Sequence, residues 1–119
     1  MNYFFDSSAI IEMINRPEGQ YNYAGSIITN ALHLGEVYFY FLREHNKQTA
    51  DFWMRQLSCE LLEVNQQMSI EAAVFKFQNK KIPFSYIDCI GYTTALQHNL
   101  VFLTKDNDFA NFANVEFVS

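Results

Sequence analysis

Four carboxylates, Asp6, Glu36, Asp88 and Asp106, combine residue type and placing in a way that could do chemistry together. Asp6 ends the apolar run Tyr3-Phe4-Phe5. Asp106 follows a second run, Leu100-Val101-Phe102-Leu103, after a Thr104-Lys105 step. Both runs read as short buried strands. If they are neighbours in a parallel sheet, their acids meet at its C-terminal edge. Carboxylates held together in a folded protein repel one another unless a cation joins them. A donor set made only of oxygen suits Mg²⁺ or Mn²⁺. The chemistry expected of such a site is metal-assisted phosphoryl transfer or hydrolysis.

Those acids need elements to aim them. Residues 2–5 read as a strand, with Ser7 and Ser8 as candidate caps for a helix carrying Ile10, Ile11 and Ile14 on one face. The stretch 15–19 breaks that helix through Pro17 and Gly19. Residues 23–28 suggest a second strand. Thr29 or Asn30 then caps a long helix to about His45, and a further helix runs from Lys47 to about Leu57. Strand 60–64, helix 69–79, a break at Pro83 and helix 85–98 follow, with Asn99 as a helix-ending residue. Residues 100–103 form a strand, 106–112 a short helix and 115–118 a last strand. Apolar strands alternating with helices predict an α/β protein with a parallel sheet covered on both faces. Ligands of such sheets bind beyond the C-terminal strand ends, where strand order reverses.

Each acid also has a purely structural explanation. Asp6 begins Asp6-Ser7-Ser8, where any one of the three would cap a helix, so capping alone does not require them all. Glu36 stands in Leu34-Gly35-Glu36-Val37-Tyr38 and would equally mark the edge of an apolar stripe. His33, one turn earlier, reads as a surface or supporting residue rather than a ligand. Ser85-x-x-Asp88 has the form of a capping box. Its apolar setting favours a functional Asp88, and the small residues Gly91 and Ala95 on the same helix permit close approach to the sheet. Asp106 and Asp108 are two apart, so both could reach a metal from a loop, or either could cap the next helix. Glu12 is expected at the cleft rim or in solvent.

Composition narrows the classes. The chain has 119 residues, half of them hydrophobic, with twelve Phe and seven Tyr. One domain spanning 1–119 with a full core is expected, without linker, repeat or low-complexity segment. The net charge of -5 argues against nucleic-acid binding through a broad basic face. It leaves a nuclease open, since part of the acidity would be the site itself. Lys76, Lys80, Lys81 and Lys105 read as solvated charges or phosphate contacts. Cys59 and Cys89 lack metal-ligand spacing and read as buried free thiols of a reducing compartment. No apolar run reaches membrane-spanning length, so the expectation is a soluble cytoplasmic protein.

Taken together, Phe5-Asp6-Ser7-Ser8-Ala9-Ile10-Ile11-Glu12, Glu36-Val37, Asp88-Cys89-Ile90-Gly91-Tyr92-Thr93-Thr94-Ala95-Leu96 and Phe102-Leu103-Thr104-Lys105-Asp106-Asn107-Asp108-Phe109 carry a pattern. The chain resembles the PIN-domain family, particularly the small VapC-type toxin ribonucleases of toxin–antitoxin pairs. The resemblance implies a three-layer α/β/α sandwich with a five-stranded parallel sheet in the order 3-2-1-4-5. It implies an Mg²⁺- or Mn²⁺-dependent ribonuclease whose acids are Asp6, Glu36, Asp88 and Asp106, with Asp108 as an auxiliary. Ser7, Ser8 and Thr104 would orient water or ligands. RNA as substrate and a small antitoxin partner are implied in the same way. Tyr38, Phe39, Tyr40 and Phe41 outnumber what one buried helix face needs, and serve either the core or the surface of a homodimer or antitoxin complex. The alternative from another class is a catalytically silent PIN-like module that binds RNA or a protein. A haloacid-dehalogenase-type phosphatase would need an Asp-x-Asp after the first strand, where this chain has Asp6 and Ser8. A receiver domain would need a later acceptor Asp after a central strand.

Overall fold

A computed structural model describes residues 2–16 and 26–118. Its sheet contains β1 (Tyr3–Phe5), β2 (Ile27–Thr29), β3 (Cys59–Leu61), β4 (Val101–Thr104) and β5 (Val115–Phe117). All pairings are parallel and the spatial order is β3-β2-β1-β4-β5. The helices are α1 (Ser7–Asn15), α2 (Ala31–Glu44), α3 (Lys47–Gln56), α4 (Gln66–Gln78) and α5 (Tyr86–Gln97). Strand order reverses between β1 and β4, whose register pairs Phe4 with Phe102 and Phe5 with Leu103. The crevice at such a reversal is where α/β sheets place their ligands.

The strands are only three or four residues long, yet alternate residues divide cleanly between two cores. Phe4 and Phe102 face α4 and α5, packing with Phe84, Ile90, Tyr92, Ala95 and Phe109. Phe5 and Leu103 point to the opposite face, against Ala9, Ile10, Val37, Phe41 and Ala50 from α1, α2 and α3. Period-two side-chain alternation therefore turns two adjacent apolar strands into the centre of a three-layer sandwich. α5 is buried from Cys89 to Ala95 on all sides. That explains why its sequence shows no amphipathic stripe.

The helix starts share one device. Asp6, Asn30, Asn46, Asn65 and Ser85 each accept the backbone N–H three residues on, at Ala9, His33, Thr49, Met68 and Asp88. Each such cap is worth about 1 kcal/mol. The capping atom of α1 is thus the Asp6 carboxylate, and neither Ser7 nor Ser8 is the cap residue. Asn65 starts α4 at Gln66, three residues before the expected start at Ser69. β3 covers 59–61 where 60–64 was expected, and β2 covers 27–29; residues 23–25 of that expected strand, and Pro17 and Gly19 of the expected break, lie outside the described residues. The expected helix over 106–112 is a 3-10 turn at Asn107–Phe109. Asn99 ends α5 with a left-handed backbone (φ 56°).

The aromatic run on α2 divides. Phe41 is in the core, and Phe39 is 60% exposed. Tyr38 donates its hydroxyl to Asp51 Oδ1 at 2.7 Å, and Tyr40 Oη accepts from Asn15 Nδ2 at 3.1 Å. Cys89 is buried and Cys59 half-buried, both as free thiols. No described helix is long and apolar enough to cross a membrane.

Phe102 is fully buried, with ring centroids 6.1 Å from Phe4, 5.6 Å from Tyr92 and 4.8 Å from Phe109. Phe102→Ala is expected to cost about 3–5 kcal/mol. Urea unfolding should show this as a lower midpoint at unchanged m-value; a loss below about 1 kcal/mol would contradict the two-face core.

Candidate active site

Asp6 stands at the end of β1, 2% exposed. Its Oδ1 accepts from Ser8 Oγ at 2.7 Å and from the Ala9 N–H at 2.8 Å. Its Oδ2 accepts from Thr104 Oγ1 at 2.5 Å, joining the ends of β1 and β4. Both hydroxyls also accept backbone N–H groups from the loop that leaves β4. Lys105 donates to Ser8 Oγ at 2.9 Å, and Asp106 donates to Thr104 Oγ1 at 3.0 Å. One buried carboxylate therefore fixes, through two hydroxyls, the backbone that carries Asp106. Burial pushes the Asp6 carboxyl above its usual range, while the hydrogen bonds from Thr104, Ser8 and Ala9 pull the other way without cancelling it.

The other acids reach this hub by different routes. Asp106 is half-buried and accepts the Asp108 N–H on Oδ1 at 2.9 Å, which makes it the cap of the 3-10 turn. Asp108 is exposed. Glu36, half-buried on α2, accepts from Ser7 Oγ on Oε1 at 2.8 Å, and Ser7 follows Asp6. Asp88 is the acidic half of the capping box. Its Oδ2 accepts the Ser85 N–H, and Ser85 Oγ accepts the Asp88 N–H, each at 3.0 Å. Burial is the largest influence raising the Asp88 carboxyl, Ser85 opposes it, and the charges of Asp106 and Glu36 raise it further. The capping explanation of Asp88 is thus correct, and the same residue also feels two other acids of the set.

As the side chains stand, no group of three or more Asp, Glu, His or Cys among the described residues is arranged to hold a metal ion. The donor chemistry nevertheless fits a hard divalent cation. Glu36, Asp88 and Asp106 each spend one oxygen on a protein hydrogen bond, and the second oxygen has none among the described residues. Beyond the larger effect of burial, the repulsion from Asp106 and Glu36 at Asp88 is of the kind a cation between these carboxylates relieves. Ser7, Ser8 and Thr104 each donate to one of the acids.

Two residues stand in settings that the sequence left open. Glu12 is buried rather than solvated, accepting from Lys105 Nζ at 2.8 Å and from Arg16 Nη1 at 3.1 Å. It ties the residue beside Asp106 to α1. His33 is fully buried, not on the surface, and its Nδ1 accepts the Ser7 N–H at 3.2 Å. The available signals were spacing alone: His33 lies one helical turn before Glu36, and Lys105 adjoins Asp106.

Comparison with known proteins agrees with this architecture. The PIN domain family model matches residues 3–115. The chain belongs to the PIN domain family. Its fold is that of VapC-type toxin structures. Against VapC20 of Mycobacterium tuberculosis, described as a Sarcin-Ricin loop cleaving toxin, the TM-score is 0.79 at 15% identity, covering 97% of this chain and 98% of that one. Against VapBC2 from Rickettsia felis, bound to a DNA fragment from their promoter, it is 0.77 at 15% identity, covering all of both chains. A toxin–antitoxin complex from Klebsiella pneumoniae gives 0.74 at 16% identity, covering 97% of this chain and 96% of that chain. Comparison with curated proteins gave no match.

Two outcomes follow from the charges. In the absence of divalent ions at neutral pH, Asp88→Asn should raise the melting temperature. The raised carboxyl means that ionisation disfavours the fold, and an amide oxygen can still accept the Ser85 N–H; a lower melting temperature would show that the cap outweighs the repulsion. Hydrogen bonding from Lys105 is the largest influence on Glu12, and its carboxyl is lowered. The folded state therefore binds this proton less tightly than the unfolded chain, so the contribution is present above the unfolded value. It is lost as pH falls through the folded one. Acid titration of stability should show a shallower loss below about pH 5 in Glu12→Gln than in the wild type.

Proposed function

We propose that the chain, as a single domain of residues 1–119, is a metal-dependent endoribonuclease and the toxin of a toxin–antitoxin pair. The observation that carries this is the Asp6 hub: a buried carboxylate hydrogen-bonded to the hydroxyls that also hold the Lys105–Asp106 backbone, at the switch point of the sheet. Membership of the PIN domain family and the likeness to VapC structures support it.

Asp6 and Asp106 would be the principal ligands of Mg²⁺ or Mn²⁺. Glu36 and Asp88 would hold a second ion or its waters, or supply the general base, with Asp108 as an auxiliary. The bound cation would supply Lewis acidity and a water of lowered pKa for attack on a phosphodiester. Ser8 and Thr104 keep both Asp6 oxygens fixed, so that carboxylate does not need to reorganise when it meets substrate. Ser7 does the same for one oxygen of Glu36. Lys105, 60% exposed at its side chain and paired with Glu12, is positioned to meet phosphate beside the acids.

RNA as the substrate is supported by the description of VapC20 as cleaving the Sarcin-Ricin loop. A small antitoxin is supported by likeness to the Klebsiella and Rickettsia complexes. Exposed Phe39 and Leu42 on α2 and Phe52 on α3 supply apolar surface for that partner. Ile70, Val74 and Phe77, at i, i+4 and i+7 along α4, supply a further apolar stripe for a homodimer. The setting proposed is the cytoplasm.

The second reading, a catalytically silent module, draws on the lack of a three-acid group among the described residues. An RNA cleavage assay with Mg²⁺ or Mn²⁺ separates the two. Wild type should cut, and Asp6→Asn should lose roughly tenfold to a hundredfold or more of the rate. Equal cutting by both would indicate a contaminant and remove Asp6 from the site. No cutting of varied RNAs, with no Mn²⁺ binding in calorimetry, would favour the silent module.

A further inference from the structure

We infer that His33 is a positioning residue of the acidic site. It is a buried imidazole, protonated on Nε2, that holds the start of α1 through the Ser7 N–H and so sets Glu36 against Asp6. The inference deepens the ribonuclease reading and rests on it for its catalytic consequence.

The first N–H groups of a helix have no partner within it. At α1, the Asp6 carboxylate takes the Ala9 N–H, and the Ser7 N–H ends on His33 Nδ1 at 3.2 Å. The same Ser7 donates its hydroxyl to Glu36 Oε1 at 2.8 Å. Ser7 is thereby gripped at two atoms by two residues one turn apart on α2. Because Ser7 follows Asp6 directly, this double grip couples the two acids' backbones.

The grip fixes the tautomer. His33 Nδ1 lies 3.5 Å from Glu36 Oε1 and 3.2 Å from the Ser7 nitrogen. A proton on Nδ1 would point at Glu36 but would set two N–H groups of His33 and Ser7 against each other. The backbone donor cannot rotate away, and its contact is the shorter, so Nδ1 carries the lone pair and Nε2 the proton. Nε2 has no hydrogen-bond partner among the described residues and is fully enclosed. It is directed at Gly91 of α5, where an added Cβ would stand 2.4 Å from Nε2 and 3.2 Å from the Phe102 ring. Phe4 packs edge-on to the imidazole at 5.5 Å between centroids. Gly91 is thus the space into which the ring fits. The fold retains an unpaired polar atom at one end of the ring, while the other end accepts the Ser7 N–H, which an apolar side chain would leave without this acceptor.

Asparagine and leucine are close in shape. His33→Asn keeps an acceptor, its Oδ1, as many bonds from the backbone as Nδ1, and His33→Leu removes it. Expected is a His33→Leu variant with about tenfold or greater weakening of Mn²⁺ binding and loss of kcat, at little change in KM. His33→Asn should stay within about threefold of wild type on the same scale. Equal losses in the two would leave His33 a packing residue and overturn the inference. Gly91→Ala provides a second route should His33→Leu not fold. It should weaken Mn²⁺ binding in the wild-type background and much less in His33→Asn, where Nε2 is gone; equal effects in both backgrounds would overturn the inference. Long-range ¹H–¹⁵N NMR of the imidazoles should show a pyridine-type Nδ1 and a pyrrole-type Nε2 for His33, and a proton on Nδ1 would overturn it. If the wild type neither binds Mn²⁺ nor cuts RNA, the ribonuclease reading fails, while the NMR tautomer still decides the Ser7–His33 contact.

Discussion

The buried carboxylate of Asp6 is the constraint around which the rest is arranged. A charged group this enclosed is costly unless its oxygens are satisfied. Here the backbone N–H of Ala9 and the hydroxyls of Ser8 and Thr104 satisfy them. The same three bonds perform three structural tasks: they start α1, they join β1 to β4, and through the second bonds of the hydroxyls they fix the loop beyond β4. Capping and the proposed site role of Asp6 are compatible, because a helix N-terminus at a strand end needs an acceptor where the proposed metal site would need an acid.

One-oxygen holding recurs at Asp88, which completes the capping box of α5 with Ser85, and at Asp106, which caps the 3-10 turn. A carboxylate held by one oxygen has its other oxygen aimed by the backbone rather than by a flexible rotamer. Burial first, and then the charges of Asp106 and Glu36, raise the Asp88 carboxyl against its bonds to Ser85. Under the proposed reading, a cation among these carboxylates would relieve that repulsion.

Much of this could be read from residue order. Phe4-Phe5 and Phe102-Leu103, short apolar pairs followed by acids, announce two central parallel strands, and their alternation supplies both cores. Ser85-x-x-Asp88 announces a capping box that is present. The strand order came from the family resemblance rather than from periodicity. Boundaries were less legible where a cap lies outside the apolar run, as at Asn65, or where the strands are only three residues long, as at β3. His33 was expected at the surface or as a supporting residue, and its burial was not legible because it depends on the space that Gly91 leaves on another helix. Of the two settings expected for Glu12, cleft rim or solvent, solvent is excluded by Lys105, a partner that follows a strand far along the chain.

The Asp6–Thr104 bond joins residues 98 positions apart. A stretch of this polypeptide that stops just short of β4 contains β1, all five helices with their caps, and the Ser8 and Ala9 donors, yet lacks the Thr104 hydroxyl and the Lys105 and Asp106 backbone donors that complete the hub. Local segments can therefore acquire helix and partial sheet while the acids stay unassembled, because closing so long a loop is entropically late. During ribosomal synthesis, the emerging amino-terminal portion would remain without its assembled hub until β4 and the loop beyond it are available.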